Sequence, residues 1–343
     1  MIQDKIKKAE HYALAGTFTL ALRLVVGWTY FSAFWRRMVI EDKMDPEGMG
    51  YIGEKFNHFL PNALGIKPMI EHLVLNPELL WWAMLIFTLI EAVVGLFIMF
   101  GLFTRLMGLG VFGLATGILL GSGWIGTTCL DEWQIGTLGM ATGFTLFLTG
   151  GGRYAMDNLL LKTSFATKFK WLPFVSSGPL PLKTKTVNRI SLLGAGVILF
   201  ATLYTNQHFH SGIWGDLHNK SVRPIVEIHD ANLNSNKLTF MVYRVEGADV
   251  YGSFLIGIDL LNSKGELVLT KKGDDLAQLD SSQIDNIHVA KVKPGKHSLI
   301  IPLGSKAILT FTDSVLKELD RGVYTLVLTD ISGATWKQEI ELF

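Results

Sequence analysis

The chain has 343 residues, of which 49% are hydrophobic and only 18% are charged, whereas charged residues make up about 25% of an average soluble domain. Its net charge of +1 argues against a nucleic-acid-binding protein. A single cysteine excludes an intramolecular disulfide framework and any site built from several cysteine ligands.

Five segments are apolar enough to cross a bilayer as helices, which takes about 18 or more residues. They are residues 17–35, 79–101, 105–125, 134–150 and 190–206. No small-residue cleavage site follows the first, so we expect it to remain as a signal anchor. The N-terminal segment and the loops on its side of the membrane contain eleven Lys and Arg, whereas the loops on the opposite side contain five. This difference predicts an N-in, C-out topology. We expect a multi-pass protein of a prokaryotic cytoplasmic (inner) membrane.

The first loop on the outer side, residues 36–78, alternates apolar and polar residues at helical spacing over 49–60 and 66–75. This pattern predicts two short amphipathic helices at the interface, which could cover residues 122–133. In the third and fourth spans, Gly113, Gly117 and Gly121 recur every fourth residue, as do Gly139 and Gly143. Such spacing favours close helix packing.

We predict a four-helix membrane domain over 1–160, a basic cytoplasmic linker over 161–189, a fifth transmembrane helix over 190–207 and an extracytoplasmic domain over 208–343. The last region contains short runs rich in valine, isoleucine, leucine and tyrosine, separated by turn signals. The runs lie at 222–229, 237–246, 253–261, 266–271, 287–293, 297–302, 305–312, 323–329 and 334–341. They predict an all-β, Ig-like sandwich, and Tyr324 after Asp320 resembles a tyrosine corner.

Residues 122–133 read SGWIGTTCLDEW and contain the only cysteine, Cys129. Most free cysteines are small buried apolar residues, but this one lies in a polar loop between two spans. A reactive thiolate needs positive charge nearby, which Arg36 and Arg37 at the end of the first span could supply. The alternative is that the two arginines form a snorkelling anchor pair.

Arg23 and Glu91 are ionisable groups inside predicted spans, where such residues are functional candidates. Counting 1.5 Å per helical residue places them at depths about 6 Å apart, so we expect either a structural ion pair or a proton-donating Glu91 beside a quinone. Trp28 and Tyr30 fit an interfacial aromatic belt or a stacking surface for a quinone ring.

Four stretches together resemble the DoxD subunit of thiosulfate:quinone oxidoreductase: the first span with Arg23, residues 50–70, residues 91–105 and the TTCLDEW segment. The last span and the C-terminal domain resemble the DoxA subunit. The resemblance implies a fusion that oxidises two thiosulfates to tetrathionate and reduces membrane quinone in the lipid bilayer, with no metal or nucleotide cofactor. Homo-oligomerisation stays open.

The residues suggest roles within that reaction. Catalysis would fall to Cys129 as the covalent nucleophile, with Asp131, Glu132 and Glu91 relaying protons. Substrate binding would fall to Arg36, Arg37, Thr127, Thr128, Trp124 and Trp133. Two alternatives stay open: another quinone-linked sulfur oxidoreductase of the DoxX-like group, and a non-enzymatic membrane anchor that displays a β-sandwich.

Overall fold

The computed structural model describes residues 2–48, 50–126, 131–163, 168–169, 171–234, 236–248 and 253–342. The chain forms two compact units that are discontinuous in sequence. The first, which we call the helical unit, comprises Met1–Ile52, Trp81–Gly123 and Leu130–His218. The second, the sandwich unit, comprises Gly53–Leu80, Trp124–Cys129 and Asn219–Phe343.

The described helices are α1 (Ile2–Phe18), α2 (Leu20–Trp35), α3 (Glu54–Phe59), α4 (Lys67–Val74), α5 (Pro77–Phe100), α6 (Thr104–Ser122), α7 (Asp131–Thr149), α8 (Asp157–Leu160), α9 (Leu172–Val175), α10 (Thr184–His210) and α11 (Gly273–Leu276). A π-helical turn, Arg36–Ile40, continues α2. In the described residues, α5, α6 and α10 are each long and apolar enough to cross a membrane. Helices α1 and α2 meet at a bend of 52° and would make a fourth span if they cross together. The predicted fourth span forms α7, which is not among the described helices that are long and apolar enough to cross a membrane. The count of five spans therefore remains a prediction.

Glycines let the helices of the helical unit approach closely. A side chain at Gly143 on α7 would meet the backbone nitrogen of Phe112 at 2.5 Å, and one at Gly139 would meet the Ala115 side chain at 2.7 Å. Gly113 and Gly117 on α6 face open space instead. The prediction of close packing is therefore confirmed at Gly139 and Gly143 of α7 and wrong at Gly113 and Gly117 of α6. On α6 the close approach to α7 is made by Gly108 instead.

Arg105 at the start of α6 is fully buried, and its described hydrogen bonds all go to backbone oxygens. It donates to the carbonyls of Phe147 at 3.1 Å, Pro173 at 2.8 Å and Ser176 at 2.9 Å, and also to that of Gly178. Part of the segment predicted as a basic linker thus folds against α6. Burying a guanidinium is costly unless its donors are satisfied, and these carbonyls satisfy them.

Asp157, the first residue of α8, fixes the beginning of α6. It is fully buried, and its carboxylate accepts hydrogen bonds from the backbone nitrogens of Phe103 and Thr104 at 2.7 and 3.0 Å and from the Ser177 hydroxyl at 2.6 Å. A carboxylate at the first turn of a helix satisfies its free N–H groups and complements its dipole. Asp157 therefore caps α6 from outside the helix.

The C-terminal half is all-β, and every strand pairing described is antiparallel. Its strands are β1 (Ile225–Asn234), β2 (Lys237–Glu246), β3 (Ser253–Leu261), β4 (Leu267–Lys272), β5 (Ile284–Asn286), β6 (Lys293–Pro294), β7 (Leu299–Ile301), β8 (Lys306–Thr312), β9 (Gly322–Asp330) and β10 (Thr335–Leu342). One sheet has the order β1-β2-β8-β5; the other has the order β10-β9-β3-β7-β6, with β4 also paired to β3. Buried residues of both sheets form one apolar core, including Phe240, Leu260, Phe311 and Leu326.

The predicted fold class, a helical membrane half followed by an all-β half, is confirmed, while the Ig-like assignment remains a prediction. Tyr324 donates to the Asp320 carbonyl at 2.7 Å, as a tyrosine corner does. The strand predicted over 287–293 is wrong, because pairing stops after β5 at Asn286 and resumes only at Lys293. His288, Ala290 and Val292 are nevertheless buried, which explains the strand-like alternation.

Helices α3 and α4 lie at the two positions predicted for amphipathic helices. Leu60, Ala63, Ile70 and Val74 form a small apolar cluster between them. Although these helices precede α5 in sequence, they belong to the sandwich unit.

Candidate active site

Glu91 lies in the middle of α5 and is paired with Arg37 from the π-helical turn that follows α2. The side chain of Glu91 is only 5% exposed, whereas that of Arg37 is 20% exposed. Arg37 also donates to the hydroxyl of Thr88 at 3.4 Å, one helical turn before Glu91. The arginine thus reaches inward from a more open position to a buried carboxylate. A charge buried between apolar helices is tolerated when it is paired.

The predicted pair of Arg23 and Glu91 is wrong. Arg23 is buried but donates to the backbone carbonyls of Gly151 at 2.5 Å and Tyr154 at 2.8 Å. Counting residues compares depths along two helices, but it does not reveal which way each side chain points. The π-helical turn after α2 brings Arg37 to Glu91. The hydrogen bonds of Arg23 go instead to backbone carbonyls in the loop after α7.

The other predicted residues of α2 separate into buried and exposed groups. Tyr30 is buried and packs with Val94 and Ile98 of α5 in one apolar cluster. Trp28 is 56% exposed, as an aromatic belt residue would be. Arg36 is exposed, and its Nε donates to the Ser32 carbonyl at 3.3 Å. Of the two adjacent arginines, Arg37 therefore contacts Glu91 and Arg36 faces outward.

In the sandwich unit, the segment that leads to the TTCL sequence is held by buried contacts. Trp124 is completely buried, and its indole nitrogen donates to the Phe59 carbonyl at 3.1 Å. The backbone nitrogen of Gly126 donates to the hydroxyl of Ser221 at 2.8 Å. The outer-loop helix α3 thus contacts this segment at Trp124, while its predicted cover over the Cys129 loop stays a prediction. Thr127, Thr128 and Cys129 lie outside the described residues.

The acidic pair after Cys129 begins α7 in the helical unit. Asp131 is exposed and Glu132 is half-buried in the first turn of that helix, where carboxylates favour the positive end of the helix dipole. Trp133 donates from its indole nitrogen to the hydroxyl of Thr205 on α10 at 3.0 Å. This bond joins α7 to α10 and gives Trp133 a structural role.

Two family models match the chain. One, described as TQO small subunit DoxD, matches residues 18–183, and the other, described as TQO small subunit DoxA, matches residues 209–339. The chain joins a DoxD region to a DoxA region. TQO denotes thiosulfate:quinone oxidoreductase, so the matches support quinone-linked oxidation of a sulfur compound. The sandwich unit takes residues 53–80 and 124–129 from the DoxD region.

Sequence reasoning missed several polar residues that organise the DoxD–DoxA chain. Asn57 and Asp157 are fully buried and hold separate segments together; neither lies in a recognisable motif. The segment 161–189 was predicted as a basic linker, and its composition does not reveal the carbonyls that bind Arg105. In the described ranges, no cluster of three or more potential metal ligands occurs, and the absence of a metal or nucleotide cofactor stays a prediction.

Proposed function

We propose that this chain acts as a thiosulfate:quinone oxidoreductase. Two thiosulfate ions would lose two electrons and join through a new sulfur–sulfur bond as tetrathionate, and one quinone would take up those electrons and two protons to become a quinol. The observation that carries this proposal is the presence of both TQO subunit families, in order, in one chain.

On the quinone side, the proposal assigns the Arg37–Glu91 pair to the reaction. Its buried position between apolar helices suits a hydrophobic substrate that arrives through the lipid bilayer. The Arg37 guanidinium can donate to a quinone carbonyl and stabilise negative charge developing there. Glu91 can pass a proton to the reduced oxygen, and Tyr30 and Thr88 line the same region of the helical unit.

On the sulfur side, the proposal assigns covalent catalysis to Cys129 and anion binding to Arg36, with the thiosulfate site on the outer side of the membrane. The Cys129 thiolate and one thiosulfate would together give two electrons to the quinone and form a sulfur–sulfur bond, leaving an S-thiosulfonate on the cysteine. The outer sulfur of a second thiosulfate would then attack the sulfur that carries the sulfonate. Tetrathionate forms and the Cys129 thiolate leaves, as in thiol–disulfide exchange.

The function is tested by assaying the purified protein with decylubiquinone and a panel of thiosulfate, sulfite, sulfide and a persulfide. We expect quinol formation with thiosulfate alone. Activity only with another sulfur compound would identify a different oxidoreductase of the DoxX-like group. No activity with any of them, from folded protein, would favour the membrane anchor.

The covalent step is tested with Cys129→Ser, and thiosulfate docking is tested with Arg36→Ala. We expect Cys129→Ser to abolish thiosulfate-dependent turnover without unfolding the protein. Arg36→Ala should raise the KM for thiosulfate by roughly tenfold, the effect of one lost charge-assisted hydrogen bond, with kcat unchanged. Full activity of Cys129→Ser would refute the covalent scheme, and a change in kcat alone would refute docking at Arg36.

A further inference from the structure

Asn57 on α3 clamps the DoxD outer loop to the β-sandwich. Its side chain is completely buried. It donates to the Gly304 carbonyl at 3.0 Å and accepts from the backbone nitrogen of Ala290 at 3.0 Å. One amide side chain thus satisfies two backbone groups from two different loops of the sandwich, and a buried polar group of this kind is costly to leave unpaired.

Gly304 shows how closely the backbone of the sandwich loop approaches the backbone of α3. A Cβ added there would lie 1.7 Å from the Asn57 carbonyl oxygen, and the residue has a φ of +73°. Any larger residue would therefore clash with α3 and also be strained in its own backbone. The contact requires glycine on one side and a short amide side chain on the other.

The clamped loop continues directly to the residues that hold Trp124. Phe59, two residues after Asn57, accepts the hydrogen bond from the Trp124 indole. Asn62 then donates to the Val245 carbonyl at 3.1 Å and accepts from Lys220 at 2.8 Å. The neighbouring Ser221 binds the backbone of Gly126 at 2.8 Å. A series of hydrogen bonds, buried at Asn57 and Gly126 and part-buried between them, thus runs from the sandwich loops, through α3, to the segment that precedes residues 127–130.

We propose that the β-sandwich positions the catalytic loop, and that Asn57 is the positioning residue through which it does so. The inference rests on the proposed role of Cys129 in thiosulfate oxidation. It assigns the DoxA region a function in the reaction: holding Trp124 and Gly126 fixes where the Cys129 segment begins. The quinone side, built on Arg37 and Glu91 in the helical unit, makes no use of this clamp.

Asn57→Ala and Gly304→Ala, each in the full-length protein, test the proposal from opposite sides of the contact. Because Cys129 is the only thiol in the chain, its rate of alkylation by iodoacetamide reports on this segment without turnover. We expect each variant to raise that rate and the KM for thiosulfate by about tenfold, as for one or two lost hydrogen bonds, while the KM for decylubiquinone stays unchanged. Partial unfolding would instead lower kcat and leave both KM values unchanged.

Asn262→Ala is the matched control, because Asn262, like Asn57, makes two side-chain hydrogen bonds to the backbone: it accepts from the nitrogens of Lys264 and Glu266 in a turn of the same sandwich. It should leave both measurements at the wild-type values. The double variant, Asn57→Ala with Gly304→Ala, should not raise the alkylation rate or the thiosulfate KM beyond the value of the more impaired single variant, since the two substitutions break the same contact.

Amide hydrogen exchange over residues 53–62 shows whether the loop has been released. The proposal is overturned if exchange rises while the alkylation rate and the thiosulfate KM stay unchanged. It is also overturned if neither variant raises exchange, because the clamp would then not hold α3. Should the wild-type protein fail to oxidise thiosulfate, the proposed function falls, but faster alkylation in both variants would still support the positioning role.

Discussion

Glu91 carries the clearest chemical signal at the scale of single residues. An acidic residue in an apolar helix predicts a functional site, and the structure adds its partner, Arg37. The sequence could identify Glu91 and both arginines of the π-helical turn as candidates. It could not select between Arg23 and Arg37, because the choice depends on side-chain direction and on the backbone carbonyls that occupy Arg23.

Glu91→Gln tests the role of this pair in quinone reduction. Gln keeps the shape of Glu but cannot deliver a proton, so we expect kcat to fall by about 100-fold, as on loss of a general acid. The KM for thiosulfate should not change. Glu78→Gln, at an exposed glutamate in the first turn of the same helix, is the control and should behave as wild type. Equal activity of the two variants would exclude Glu91 from the reaction.

His288 gives the sandwich unit a predictable response to pH. Burial lowers the pKa of His288, with a smaller contribution in the same direction from Lys306, while Gly304 and Glu71 act against it; Tyr243 packs edge-on against its ring. As the pH falls, the unfolded chain therefore protonates His288 near its ordinary pKa of about 6.5. The folded protein protonates it only at a lower pH. Folding stability must then fall as the pH drops through and below about 6.5.

His288→Asn removes the titration and can keep a donor for the Gly304 carbonyl, which the ring nitrogen approaches at 2.9 Å. Between about pH 7.5 and 5.5, we expect the Tm of the wild type to fall by a few degrees more than that of the variant. Comparing the two proteins cancels the contribution of every other titrating group. Identical slopes would show that His288 does not contribute to the pH dependence.

At the scale of elements, α2 and α5 meet at a pair of glycines that brings Arg37 within reach of Glu91. A Cβ at Gly95 would lie 2.5 Å from the Phe31 nitrogen and 2.6 Å from the Gly27 oxygen. Backbone atoms cannot yield as a flexible side chain can. Gly95→Ala should therefore force the helices apart and destabilise the protein by about 1–3 kcal/mol.

Gly117→Ala on α6 is the control for this substitution, because a Cβ there would meet nothing within 4 Å. Both variants gain helix propensity, so only the clash differs. Thermal unfolding in detergent should show a lower Tm for Gly95→Ala and an unchanged or higher one for Gly117→Ala. Equal Tm values would mean that the crossing of α2 and α5 can relax.

Element positions were largely predictable because hydrophobic periodicity reports burial. Helices α3 and α4, the long apolar helices and most strands follow their patterns. The segment 287–293 shows where the rule fails, because its buried residues alternate as in a strand although no sheet pairing is described between β5 and β6. The bond from Ala290 to Asn57 shows that this segment is buried against α3, a partner more than 230 residues away in sequence.

At the scale of the whole molecule, the order of the families in sequence does not match the grouping of residues in space. Residues 53–80 and 124–129, both inside the DoxD match, belong to the same compact unit as the DoxA region. Sequence comparison divides the chain once, whereas the structure interleaves its parts. The two matched regions are therefore not independent modules, since the sandwich contacts the loop that leads to Cys129.

The central claim, that the chain couples thiosulfate oxidation to quinone reduction, is tested most directly by its stoichiometry. Purified protein in lipid nanodiscs would be given thiosulfate and decylubiquinone, and thiosulfate, tetrathionate and quinol would be measured together over time. We expect two thiosulfates to disappear for each tetrathionate and each quinol formed. Quinol formed without tetrathionate, or with sulfite or sulfate as the sulfur product, would contradict it.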